Sequence, residues 1–328
     1  MKDISKKAMG KNNLWKILFA VLLLALPLLM QGSNYLILVF CFIEIYIIGV
    51  SGLDIVFGYC GQISLGHAAF YAIGAYGSVV LHKYFGIPVI LTMIIAACIS
   101  AAIGALIAYP CSQLVFHFLS LATQAVGEIV YILVSHSPNN ITGNYVGMYT
   151  DPVNLFGFKV ATNTQFYYFA LVCVVIFLLA KTFLVNSKTG RAFTAIRENS
   201  HAADGMGINV RLYKVQAFTV SAFYTAFAGA MYAHLVGYIN PDTFLYKQSV
   251  MFLTMLLFGG TGSLWGPILG AASVLLVNES LRALQDYQMF IYGILMLLVI
   301  VAMPGGIFGE GKKLAAKVRR RVGGGANA

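Results

Sequence analysis

The sequence predicts an all-α integral membrane protein with about ten transmembrane helices. Hydrophobic residues make up 59% of the 328 residues and charged residues only 10%, which is far from the composition of soluble globular domains. Apolar runs long enough to cross a bilayer as helices recur with short breaks. They lie near residues 14–32, 35–56, 67–84, 88–109, 114–136, 166–186, 213–236, 248–258, 266–283 and 288–304. The first run is interpreted as a membrane helix rather than a signal peptide, because no clear small-residue cleavage pattern follows it.

Basic residues set the predicted orientation of these helices. They give the chain a net charge of +10 and are concentrated in residues 1–16, 187–214 and 312–321. Because Lys and Arg accumulate on the cytoplasmic side of a membrane, ten crossings place both termini and the central basic loop in the cytoplasm. An odd number of crossings would place one basic terminus outside. Membrane topology therefore explains the basic excess better than binding to nucleic acid does.

Two stretches, residues 58–77 and 258–273, are too glycine-rich for ordinary spans. Each contains closely spaced glycines, then Ser-Leu, then another glycine, and each lies at a similar point in its half of the chain. Gly-interrupted segments at matching places in two halves point to broken helices beside a substrate path. Close helix packing explains the glycines individually, but their paired recurrence favours functional breaks.

We therefore predict one transmembrane domain, residues 1–328, with two pseudo-repeated halves. Its parts are a first half at 14–136, an external loop at 137–165, a second half at 166–304 and a basic cytoplasmic tail at 305–328.

The cytoplasmic loop 187–212 is the longest charged segment between apolar runs. We predict a short helix in it that is capped by Thr189 and ended by Gly205 with Gly207. This helix would be either a solvated loop element that only fixes topology or a docking helix for a cytosolic partner.

The spacing of its residues gives this predicted helix two faces. Phe193 and Ile196 share an apolar side, whereas Arg197 and His201, four residues apart, share a charged side. A protruding helix of this kind could offer both apolar and charged contacts to a partner.

Few ionisable residues lie inside the predicted spans, and we note Glu44, Asp54, His67 and Glu128, with Glu279 near a span end. A charge at the bilayer centre costs at least ~2.5–3.5 kcal/mol, so each should face protein or water. Glu128 follows Thr123 and Gln124 and could line a polar strip with them. For Glu44 a structural hydrogen bond between spans is the preferred interpretation. For His67 we favour a hydrogen-bonded core imidazole over a proton relay.

No pattern typical of an enzyme is evident. The chain shows no nucleophile with a base and an orienting group, no metal-ligand spacing, and no phosphate-binding loop of the GxxxxGK[ST] type. A carrier of this kind either uses an ion gradient, through Glu44, Glu128 or His67, or borrows ATP from a separate subunit. The loop 187–212 favours the second, since an external ATPase needs a docking element. A membrane scaffold without transport is a third possibility that the paired glycine-rich stretches argue against.

Three long motifs in order resemble the permeases of branched-chain amino-acid ABC transporters, specifically the LivM-type subunit. The motifs are GYCGQISLGHAAFYAIGAY from residue 58, GRAFTAIRENSHAADGMGINVRLYKVQAFTVSAFYTAFAGAMYAH from residue 190, and YQMFIYGILMLLVIVAMPGGIFG from residue 287. The resemblance covers most of the chain from residue 58 to residue 309.

This resemblance implies an importer permease in the bacterial cytoplasmic membrane, acting on leucine, isoleucine or valine. It would pair with a homologous LivH-type subunit, two cytosolic ATPases that bind ATP and Mg²⁺, and an extracytoplasmic substrate-binding protein. The chain itself would hold no cofactor.

The same resemblance implies two groups of functional residues. The ATPase-coupling residues would be Gly190, Arg191, Ala195, Ile196, Arg197, Glu198 and Asn199. The translocation path would be bordered by Gly61, Gln62, Ser64, Gly66, His67, Thr123, Gln124, Glu128, Gly260 and Gly262.

The sequence departs from the family pattern at two positions. Asn144 stands in the outer loop where the family usually has a glycine, and Gln124 is more polar than the usual residue. Related importers for urea, amides or aromatic acids are therefore the alternative for the substrate.

Overall fold

A computed structural model shows a helical protein. It describes residues 24–27, 33–113, 116–155, 158–160, 162–282, 287, 290–291, 293–294, 297 and 306–310. The helices are α1 Asn34–Asp54, α2 His67–Phe85, α3 Val89–Cys111, α4 Phe116–Ser135, α5 Asn163–Asn186, α6 Lys188–Glu198, α7 Ser200–Gly205, α8 Val210–Val236, α9 Tyr246–Gly259 and α10 Trp265–Leu281.

Helices occur at eight of the ten predicted span positions. The first and last predicted spans, 14–32 and 288–304, lie largely outside the described residues. Among the described residues, four helices are both long and apolar enough to cross a membrane: Asn34–Tyr59, Val89–Cys111, Phe118–Ser135 and Asn163–Asn186. The structure thus confirms an all-α membrane protein.

Helix α8 lies at the centre of the fold and packs against α1, α2 and α3. Ala222, Ala226 and Ala230 form a row of small residues on α8, and all three are fully buried. A Cβ on Gly74 of α2 would lie 1.8 Å from the carbonyl oxygen of Ala226. The two helix backbones can therefore approach this closely only because no side chain separates them.

The loop between α4 and α5 is held to the end of α8 by short antiparallel pairing. Strand β1, Met148–Tyr149, pairs with β4, Tyr238–Ile239, and within the loop β2, Asn154–Leu155, pairs with β3, Phe158–Lys159. This pairing fixes the loop over the helix bundle.

The geometry of Asn144 explains the departure from glycine in this loop. Asn144 has a φ of 49°, a left-handed conformation that glycine adopts freely and that asparagine tolerates better than most residues. Its Oδ1 accepts hydrogen bonds from the backbone N–H of Ser137 at 2.9 Å and from the Ser137 hydroxyl at 3.0 Å. Asparagine thus keeps the turn and adds two hydrogen bonds to it.

Candidate functional site

The helices are interrupted at both glycine-rich stretches, as the sequence predicts. Helix α1 passes into a π-helical turn, Ile55–Tyr59, and α2 begins only at His67. Helix α9 ends at Gly259, and α10 begins at Trp265. We call the chain between α1 and α2, residues 55–66, the first break and the chain between α9 and α10, residues 260–264, the second break. The structure brings the two breaks into contact.

A buried ion pair lies where the two breaks meet. The Lys181 Nζ of α5 is 2.7 Å from the Oδ2 of Asp54 at the end of α1. The exposed fraction is 1% for Lys181 and 0% for Asp54. The other carboxylate oxygen of Asp54 accepts a hydrogen bond from the backbone N–H of Gly262 at 2.7 Å. Lys181 also donates to the carbonyl oxygen of Ser263 at 3.4 Å, so the pair binds the second break through both residues.

The sequence predictions include Asp54 but not Lys181 or the pairing of the two. A lysine inside the apolar run of α5 was the available signal, because a lysine at membrane depth needs an acidic partner or water. The partner is 127 residues away along the chain, so spacing could not identify it.

Helix α6 reaches the same place through Arg197. The Arg197 guanidinium Nη1 donates a hydrogen bond to the carbonyl oxygen of Gly58 in the first break. A Cβ on Gly61 would lie 3.2 Å from the Arg197 Cα, and Gly61 has a φ of +71°. Gly262 of the second break has a φ of +68°, and its Cβ would lie 2.9 Å from Nη1. One guanidinium therefore contacts both breaks.

The boundaries of α6 differ from the predicted ones. Ser187, not Thr189, caps the helix, since its hydroxyl accepts from the backbone N–H groups of Thr189 and Gly190 at 3.1 and 3.4 Å. The predicted single helix is two helices, because Asn199 ends α6 and caps α7 by accepting from His201 N–H at 3.0 Å. An asparagine side chain that bonds the following backbone starts a new helix rather than continuing the old one. The predicted shared face of Arg197 and His201 is therefore wrong.

The predicted coupling residues fall on two sides of α6. Gly190 and Ile196 are buried against the protein, and Phe193 lies with them on this face. Ala195 is half-buried, whereas Arg191, Arg197, Glu198 and Asn199 are exposed. Only the exposed residues are accessible to another subunit.

The predicted path residues around the first break share one hydrogen-bonded cluster. His67 Nδ1 is 3.0 Å from the Ser64 hydroxyl, and Nε2 is 2.7 Å from the Ser221 hydroxyl of α8. The Leu65 N–H donates to the Thr123 hydroxyl at 3.1 Å. His67 is fully buried, so its geometry is that of the hydrogen-bonded core imidazole. Gln62 and Gly260 lie in the first and second breaks, respectively, outside this cluster.

Replacing Ser221 by alanine should destabilise the protein by ~1–3 kcal/mol, because it leaves one nitrogen of a buried imidazole without a partner. We expect a lower thermal midpoint of the detergent-solubilised protein. The matched control is Ser280→Ala, since within the described residues the Ser280 hydroxyl bonds only the Leu276 carbonyl of its own helix. An equal midpoint for both variants would contradict the structural importance of the His67 to Ser221 bond.

The three polar residues of α4 that could line a strip differ in their exposure. Thr123 is buried, Gln124 is half-buried and Glu128 is exposed on the surface of the chain. A carboxylate exposed on a membrane-spanning helix is costly in lipid, so this surface of α4 requires a protein partner or water.

Glu44 also differs from expectation. It is 5% exposed, and within the described residues neither carboxylate oxygen has a hydrogen-bond partner. The predicted structural hydrogen bond between spans is therefore absent from that part of the chain.

Comparison with known proteins shows the family of the chain. A family model described as the permease component of branched-chain amino acid transport systems matches residues 35–300. The chain is 32% identical over 321 residues to the high-affinity branched-chain amino acid transport permease LivM of Escherichia coli K12, covering 90% of this chain and 75% of the relative. It is 32% identical to LivM of Salmonella typhimurium LT2, with 80% and 67% covered.

A more distant relative is the probable branched-chain amino acid transport permease LivM of Methanocaldococcus jannaschii, which is 24% identical with 84% of this chain and 94% of the relative covered. No solved structure matches the chain. The family match over most of the chain and the identity to the bacterial permeases agree with the resemblance of the motifs. The chain therefore belongs to the family of permease components of branched-chain amino acid transport systems.

Proposed function

We propose that this chain is the membrane-spanning permease subunit of an ABC importer that carries leucine, isoleucine or valine into the cell. ATP hydrolysis on separate subunits drives the transport. The family supports the substrate class, since the relatives are named for branched-chain amino acid transport. The observation that carries the mechanism is the contact from Arg197 of α6 to Gly58 in the first break.

The exposed face of α6 suits it to receive a cytosolic ATPase. Lys188, Arg191, Thr194 and Glu198 recur at helical spacing on this face and are all exposed. The opposite face is buried, so a force on the helix reaches the protein interior. Because α6 contacts both breaks through Arg197, its displacement on ATP binding would move the segments that border the path. Alternating access then follows from a two-state arrangement of these segments.

The exposed surface of α4 is the proposed side of the translocation path. The exposed Glu128 and the half-buried Gln124 lie there, and a homologous LivH-type permease would cover them and shield them from lipid. The outer loop between α4 and α5 would face the extracytoplasmic substrate-binding protein. ATP and Mg²⁺ would bind to the partner ATPases, and this chain would act without an ATPase site of its own.

The proposed topology keeps the sequence prediction. Ten spans in two pseudo-repeated halves place both termini in the cytoplasm of a bacterial cell, on the same side as α6. The first break follows α1 and the second follows α9, so each proposed half contains one break, which supports two related halves.

The test of this function is uptake of labelled leucine in cells that lack the chain and in cells to which it is restored. We expect uptake that depends on the chain and persists when the proton gradient is collapsed with ATP maintained. Loss of uptake on collapse would instead indicate an ion-coupled carrier. Leucine uptake that is the same without the chain would contradict the substrate assignment, and the same assay with urea, amides and aromatic acids would then identify the class.

A further inference from the structure

The ion pair between Lys181 and Asp54 connects three parts of the protein that are distant in sequence. Asp54 ends α1 and precedes the first break, and its Oδ1 accepts from Gly262 N–H in the second break at 2.7 Å. Lys181 lies on α5, five residues before that helix ends at Asn186. The pair therefore joins α5 to both breaks.

Helix α5 is itself firmly joined to the cytoplasmic helix α6. Ser187 is both the C-cap of α5 and the N-cap of α6, and its hydroxyl donates to the Leu184 carbonyl at 2.6 Å. A Cβ on Gly190 would lie 2.0 Å from the Val185 carbonyl oxygen. The turn is thus too tight to bend freely, and a movement of α6 is passed to the end of α5 that carries Lys181.

A buried ion pair is a poor means of stabilising a fold. Removing two charges from water costs more than their attraction commonly returns, and apolar residues of similar volume often stabilise a protein better. Lys181 and Asp54 instead fix the relative positions of the elements that they join. Their oxygens and Nζ are bonded to one another and to the backbone of Gly262 and Ser263, so the pair holds the second break in one defined position relative to α5.

We propose that Lys181 and Asp54 are positioning residues that transmit the movement of α6 to the second break. They act through the backbone of residues 262 and 263 and not by touching the transported amino acid. This route runs through α5, whereas Arg197 reaches the breaks directly from α6. The inference rests on the proposed function, because it assumes that α6 is moved by an ATPase.

The decisive variant is the double substitution Asp54→Leu with Lys181→Met. It replaces the ion pair by apolar side chains of similar size, so the protein should fold and remain in the membrane, but the bonds to the second break are lost. In the complete importer, reconstituted in proteoliposomes with its binding protein, we measure leucine transported and ATP hydrolysed on the same sample. We expect the leucine moved per ATP hydrolysed to fall by about tenfold or more.

Two further variants separate coupling from stability. Lys181→Arg keeps a charged donor and should retain a substantial part of the wild-type ratio. Thr182→Val removes a neighbouring hydroxyl whose one bond in the described part of the chain is to the Leu178 carbonyl of its own helix, and it should leave the ratio unchanged. A purely structural role would lower transport and hydrolysis together in the double variant and leave their ratio unchanged, and that result would overturn the proposal.

A second measurement does not depend on the identity of the substrate. Amide hydrogen exchange of residues 258–264 is followed by mass spectrometry in the complete importer, with and without a non-hydrolysable ATP analogue. We expect the analogue to change exchange in the wild type and not in the double variant. An equal change in both would overturn the inference. If the wild type shows this change but transports no leucine, the substrate assignment fails while the role of the pair stands.

Discussion

Substitution of Arg197 by glutamate is expected to abolish most transport while leaving the protein in the membrane. The change removes the charged donor that binds the Gly58 carbonyl and places a carboxylate beside that oxygen, so the two groups repel. Hydrogen bonds to charged groups are among the stronger ones in proteins, and losing one that couples two elements should lower leucine uptake by roughly tenfold or more. Uptake is measured in cells with equal amounts of the membrane-inserted variant.

The matched control is the same substitution at Arg191, six residues away on α6. The Arg191 side chain is exposed, and its bond is to the nearby Asn186 carbonyl at 3.4 Å. We expect Arg191→Glu to reduce the amount of ATPase subunit that purifies with the permease, because it reverses a charge on the proposed docking face. Arg197→Glu should retain the ATPase subunit and lose uptake. Normal uptake with Arg197→Glu, or loss of the ATPase subunit together with uptake, would contradict its role inside the protein.

Much of the fold was accessible from hydropathy and small residues. The apolar runs gave helices at eight predicted positions, because a bilayer-length run must satisfy its backbone internally and the helix is the simplest way to do so. The two glycine-rich stretches predicted the two breaks in the helices. The spacing of Phe193 and Ile196 predicted the buried face of α6, since the spacing of apolar residues determines which side of a short helix packs against the protein.

The contacts that link these elements were not accessible in the same way. The sequence shows Asp54, Lys181 and Arg197 but not which of them meet, because tertiary packing brings together residues more than a hundred positions apart. At Asn199 two local conformations of the backbone compete. In a continuous helix the Asn199 side chain would face solvent, whereas at a helix start it bonds the following backbone and caps the new helix. The surrounding structure selects the capping conformation.

The glycine at position 58 shows how strongly the candidate site depends on the absence of a side chain. A Cβ there would lie 1.8 Å from the Asp54 Oδ1 and 2.6 Å from the Gly262 nitrogen. These are the two atoms that form the bond between the carboxylate and the second break. Any side chain at Gly58 must therefore push Asp54 away from Gly262.

Gly58→Ala is accordingly expected to eliminate leucine uptake, although it adds only one methyl group. If the displaced carboxylate also leaves Lys181, an unpaired buried charge remains, and breaking such a pair costs ~3–5 kcal/mol. That is a large part of the stability of a typical protein, so we expect less folded variant in the membrane as well. The control is Gly293→Ala, where a Cβ meets no atom of the described residues within 4 Å. Wild-type uptake by Gly58→Ala would show that Asp54 is free to move without loss of transport, and the ion pair would then have no part in coupling.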